Sequence, residues 1–108
     1  MRTCKPAPGD SLELSFANRH LQQAYEHEAV ATRAWGRAAG RRYGDALNII
    51  TAAASVSVLY AYPGFRFHPL RGDRAGQFSL VLVGRWRLIV TVQGDTVRVE
   101  EVNRHYDD

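Results

Sequence analysis

The chain has 108 residues, 45% of them hydrophobic and 23% charged, with a formal charge of +3 and a pI of about 9.4. This length suits one domain with its own core, and the composition excludes a disordered chain. No apolar run approaches the roughly 18 residues that span a bilayer, and the lone Cys4 forms no internal disulfide and stands in no zinc-ligand spacing.

The opening MRTCKPAPGD lacks the apolar core of a signal peptide. With Pro6, Pro8 and Gly9 it is expected to be a flexible arm over residues 1–10, leaving 11–108 as a single domain in the cytoplasm. SLELSF alternates, with Leu12, Leu14 and Phe16 on one side, and predicts a short half-buried strand. Asn18 is a helix N-cap candidate. After it Leu21, Ala24, Tyr25, Glu28, Ala31 and Trp35 recur at helical spacing until Gly36. A second helix follows, with Ala39, Tyr43, Ala46, Leu47, Ile50 and Ala54 on one stripe. The two helices should form an antiparallel hairpin.

Tyr62, Pro63 and Gly64 predict a turn. FRFHPL reads as an edge strand, because Pro69 cannot donate to a ladder. FSLVLV (78–83) is apolar enough to be interior. RWRLIVTV (85–92) follows Gly84, and the turn Gln93-Gly94-Asp95 leads into TVRVEEV (96–102). The order predicts an α+β fold, with an N-terminal strand and a helical hairpin packed on a twisted antiparallel sheet of three to four further strands.

The charge is uneven. Between Phe65 and Arg87, Arg66, Arg71, Arg74, Arg85 and Arg87 face one acid, Asp73, so five positive charges less one negative leave a local excess of four. Alternation puts Trp86, Leu88, Val90 and Val92 against the helices and turns Arg87 to the other face, with HPLRGDR at its edge and His105 just beyond the last strand. Singly, each has an ordinary reading: exposed sheet arginines, a solvated turn with a local Asp–Arg pair, surface histidines. Together they suggest a cleft for a phosphate.

The stretch PGFRFHPLRGDRAGQFSLVLVGRWRLIVTV resembles the HigB-like branch of the RelE/ParE toxin superfamily. The pattern is carried by His68, Leu70, Arg71, Gly72, Asp73, Arg74, Gly76, Gln77, Arg85, Trp86, Arg87 and Leu88, and the ending EEVNRHYDD resembles the closing strand and tail. The resemblance implies a RelE/ParE-like fold and the toxin of a type II toxin–antitoxin system. It implies a ribosome-dependent endoribonuclease that cuts mRNA in the A site, against 16S rRNA, with no metal and no cofactor. It also implies a HigA-like helix-turn-helix antitoxin as partner.

Cleavage without metal proceeds by attack of a ribose 2′-hydroxyl on phosphorus, so one group must take the 2′ proton, another must protonate the leaving 5′ oxygen, and a third must hold the charge of the phosphorane. Arginine suits only the last task. Arg87 is assigned to the scissile phosphate, with Arg71 and Arg74 in support. Histidine suits either proton task, and by the resemblance His68 and His105 fill them in an order left open. Arg66, Arg74, Arg85 and Arg104 are expected along the RNA, and Tyr106 on a base. Many members of the branch end in Asp-Tyr-His where this chain has Asn103, Arg104 and His105. Two other readings share the pattern: a ParE-like protein that inhibits DNA gyrase by binding, and an inactive module that binds RNA or antitoxin.

Overall fold

The computed structural model describes residues 11–104; the expected arm at 1–10, and His105 and Tyr106, lie outside them. Strand β1 (Glu13–Phe16) is followed by helices α1 (Arg19–Glu26), α2 (Glu28–Trp35), α3 (Arg37–Ala52) and the short α4 (Val56–Leu59). Strands β2 (His68–Pro69), β3 (Gln77–Val81), β4 (Trp86–Gln93) and β5 (Thr96–Arg104) complete the described chain. The α+β class and the edge placement of the His68–Pro69 strand are as expected.

The sheet order is β1-β5-β4-β3-β2. Strands β2 to β5 are antiparallel neighbours, but β1 lies parallel to β5, with Leu14 opposite Val97 and Phe16 opposite Val99. The sheet is therefore mixed rather than antiparallel throughout. The helices carry the chain over one face of the sheet between β1 and β2, and β1 closes the edge beside β5.

The first arm of the hairpin is also divided. Asn18 caps α1 as expected, its Oδ1 accepting from the Leu21 amide at 2.9 Å, but His27 is extended at φ −133° and splits the expected single helix into α1 and α2. No glycine or proline stands there. The break is a tertiary effect: it lets α1 pack on β1 and α2 on α3. At the next junction Gly36 has φ +93°, a conformation other residues rarely adopt.

Tyr43, Leu47 and Ile50 of α3 are fully buried against Leu80, Leu88, Val90, Val97 and Val99 of the sheet. Trp86, Phe78 and Val92 pack at the margin of the same cluster. This is the helix-facing side expected from strand alternation. Arg42 fixes α3 to the loops: its Nε donates to the Leu82 carbonyl (2.7 Å), its Nη2 to the Gly64 carbonyl (3.0 Å), and its guanidinium lies 4.1 Å from the Phe65 ring centroid.

Candidate functional site

The face of the sheet turned away from the helices is built in rows by the strand register. His68, Ser79, Ile89 and Glu101 form one row. Val81, Arg87 and Asn103 form the next, and Gln77, Thr91 and Arg98 lie on the other side. A bulge makes this possible: Ile89 pairs with Glu101 while Val90 pairs with Val99, so Glu100 is the extra residue. Without it, Glu101 and Asn103 would turn toward the core.

Arg87 sits on this face as expected, half-buried. Its Nη1 donates to the carbonyls of Gly84 (2.9 Å) and Trp86 (3.2 Å). These bonds hold the planar head at the end of β4 and leave the rest of the donor fork for another acceptor. Across the ladder, Asn103 carries a buried Oδ1 with no hydrogen-bond partner, a strained polar position that costs about 1–3 kcal/mol where it persists.

His68 shares the face, one strand beyond Ser79. Counting two strand spacings and two residues of rise, its Cα lies roughly 12 Å from that of Arg87, a gap that two side chains and a phosphodiester can fill. Its Nδ1 is 2.6 Å from the Arg66 carbonyl oxygen. Arg66 has φ +50° and ψ 49°, and among the described residues no other non-glycine residue has positive φ. A left-handed conformation costs about 1–2 kcal/mol for an ordinary side chain. The side chains of Arg66 and Arg71 are exposed and make no hydrogen bond or ion pair among the described residues.

Arg74 is placed differently from its free neighbours. Its Nη1 donates to Gln77 Oε1 at 3.0 Å and to Glu101 Oε2 at 2.8 Å, so its charge is already met. Because Gln77 is on β3 and Glu101 on β5, the bridge spans β4, where Ile89, the ladder partner of Glu101, is buried although it points away from the helices. The ion pair of Arg74 is this longer one, and not the local pair with Asp73 that an ordinary solvated turn would offer. Arg98 and Thr91 likewise engage Glu100, at 3.3 and 2.8 Å.

Arg104 is not brought to the group. It is the ladder partner of Trp86 and lies over that ring at 5.6 Å, on the opposite face from Arg87. Arg85 is exposed in the turn just before β4. Sequence reasoning missed Asn103 as a neighbour of Arg87, Glu101 as the partner of Arg74, and the Arg66 carbonyl as the partner of His68. The first two had a signal: the apolar spacing lengthens from two between Val97 and Val99 to three between Val99 and Val102, the mark of a bulge. Among the described residues no three His, Cys, Asp or Glu side chains come together, and no helix is long and apolar enough to cross a membrane.

No family model and no curated protein sequence matches the chain. Solved structures do. The chain is similar to YoeB of a YoeB–YefM complex from Staphylococcus aureus (TM-score 0.58, 17% identity, covering 88% of this chain and 98% of that one). It is also similar to a YoeB dimer from the same organism (0.54, 12%, 88% and 98%), and to a YoeB/ParE toxin from Agrobacterium tumefaciens (0.51, 19%, 88% and 100%). At these identities the likeness speaks for the fold alone: the chain has a RelE/ParE-like toxin fold.

Proposed function

We propose that the protein is the toxin of a type II toxin–antitoxin system, a HigB-like endoribonuclease that cuts mRNA in the ribosomal A site. The observation that carries this reading is the placement of His68 and Arg87 on one open face, a proton-exchanging group and an anion-binding group across a gap that their side chains and a phosphodiester can fill. Arg87 receives the scissile phosphate and stabilises the extra charge of the phosphorane. Arg71 and Arg66, exposed at the edge, and Arg85 in the turn hold flanking phosphates, and the contact is salt-dependent. Arg74 acts through the loop that it anchors. His105 supplies the second proton-exchanging group, and Tyr106 stacks on a base.

The message on the ribosome and the 16S rRNA around it are the nucleic-acid partners, and the cytoplasm is the place of action. The protein partner is a HigA-like helix-turn-helix antitoxin. A structural neighbour found in a complex, YoeB with YefM, supports partner binding by this fold.

Primer extension on a message translated in vitro tests the reading. Discrete cuts within A-site codons, dependent on ribosomes, are expected. An intact message together with inhibited DNA supercoiling would instead assign the chain to gyrase binding.

A further inference from the structure

We infer that the main chain of Arg66 fixes the His68 imidazole in the Nδ1–H tautomer, so that Nε2 is the proton acceptor of the site. The geometry of this inference stands alone; its chemical role rests on the ribonuclease reading.

A carbonyl oxygen can only accept a hydrogen bond. The 2.6 Å contact between His68 Nδ1 and the Arg66 oxygen therefore requires the proton on Nδ1. In the neutral ring Nε2 then carries the lone pair. An exposed histidine without such a partner exchanges between its two neutral forms, one of which offers a hydrogen at Nε2 where a base needs a lone pair.

The carbonyl is aimed by backbone that is held on both sides. The Arg66 amide donates to the Pro63 carbonyl at 3.2 Å and closes the turn Pro63–Phe65. On the other side, the buried Phe67 stacks on Phe78 with ring centroids 5.0 Å apart and planes within 1° of parallel. Between these anchors Arg66 must take φ +50°. A conformation of this kind persists only where its surroundings impose it, and here its consequence is the direction of one oxygen. Arg66 is thus a positioning residue through its main chain, apart from any contact of its guanidinium with RNA.

In the reaction, Nε2 takes the proton of the 2′-hydroxyl. The oxygen pair so freed forms the O2′–P bond as the P–O5′ bond breaks. The departing O5′ takes a proton from the second proton-exchanging group of the site, and the proton held by His68 afterwards returns to that group through solvent. While the ring is positively charged, the Arg66 carbonyl strengthens its hold on Nδ1–H, as a charge-assisted bond does.

Two measurements test this. The first is nitrogen NMR of the ¹⁵N-histidine-labelled full chain at a pH where the rings are neutral, with the His68 signals assigned by their loss in His68→Gln. A protonated-type shift at Nδ1 and an unprotonated-type shift at Nε2 are expected. Arg66→Gly, which accepts positive φ, should keep that pattern, and Arg66→Val, which resists it, should turn the pattern into the exchange average shown by the exposed His20 and His27. A protonated Nε2 in the wild type, or an unchanged pattern in Arg66→Val, would overturn the tautomer assignment. The second uses ribosome-bound message with a 5′-bridging phosphorothiolate at the cut, whose sulfur leaves without an acid. His68→Gln should remain at least tenfold slower than wild type on it. Restoration of its rate would make His68 the acid and overturn the base role. Absence of cleavage by the wild type, with the NMR pattern as expected, would confirm the tautomer and overturn the ribonuclease reading.

Discussion

Arg74 Nη1 lies 2.8 Å from Glu101 Oε2, and this one bond ties the loop after β2 to β5, across two strands. Its Glu101 end stands in the row of His68, Ser79 and Ile89, with Arg87 on one side of that row and the Thr91, Arg98 and Glu100 cluster on the other. Both partners are about two-fifths exposed, at 42% and 41%, so the pair belongs with surface ion pairs. Glu101→Gln is expected to lower stability in urea unfolding by no more than about 1 kcal/mol, with the loss shrinking as salt rises. The clearer effect is local: amide exchange in the 70–76 loop should quicken ahead of the rest of the chain.

Two glycines four residues apart in α3 should respond oppositely to alanine. A Cβ on Gly40 would stand 3.1 Å from backbone and Cβ atoms of Ala31 and from the Thr32 amide nitrogen of α2, tighter than most packed Cβ contacts, so α2 must shift to admit it. A Cβ on Gly44 would meet nothing within 4 Å. Gly40→Ala is expected to destabilise by about 1–3 kcal/mol through forced separation of α2 and α3. Gly44→Ala should stabilise by about 0.5–1 kcal/mol through helix propensity. Thermal unfolding of both variants checks the pair.

Tyr43 is fully buried, donates its hydroxyl to the Leu21 carbonyl at 2.6 Å, and packs edge-on against Trp35. Burial raises its pKa far above the ordinary tyrosine value, with a smaller contribution from Tyr25. The unfolded chain therefore loses this proton first, near pH 10, and stability from this group, full below that pH, falls as pH rises beyond it. Tyr43→Phe should cost about 1 kcal/mol at neutral pH and flatten the alkaline decline. Denaturant unfolding at neutral and alkaline pH, compared between the two proteins, measures both.

Arg42 shows why a charged residue on a helix need not belong to a binding face. Its bonds to the Leu82 and Gly64 carbonyls and its stacking on Phe65 use the fork and the flat face of the guanidinium together. Arg42→Lys keeps the charge but not that geometry, and is expected to lose about 1–2 kcal/mol of stability, measured by urea unfolding. An equal stability for Lys and Arg would reduce the contact to a point charge.

Much of this was legible in the sequence, and the failures have physical causes. Strand alternation located Arg87 on the open face and Trp86, Leu88 and Val90 on the core, because a side-chain period of two is fixed by the backbone. Pro69 marked the edge strand, because it lacks an amide hydrogen. The break at His27 was hidden, since no residue there is a breaker and the cause is the different partners of α1 and α2. The parallel pairing of β1 with β5 was hidden too, because alternation tells which face a side chain takes and not which neighbour a strand chooses. Arg104, expected along the RNA with the other arginines, is delivered to the Trp86 side because the Glu100 bulge shifts the alternation. The His68 contact depends on one backbone angle at Arg66, which an arginine gives no reason to expect.

In the proposed reaction Arg87 holds the scissile phosphate during RNA cleavage. The most direct test is ribosome-dependent cleavage of a defined message by wild type and Arg87→Ala, compared after both are shown to unfold at the same temperature within a few degrees. Loss of one charge-stabilising donor group should slow cleavage by about 10²–10³-fold, with the cut sites unchanged. Cleavage by Arg87→Ala at the wild-type rate would mean that Arg87 does not hold the phosphate.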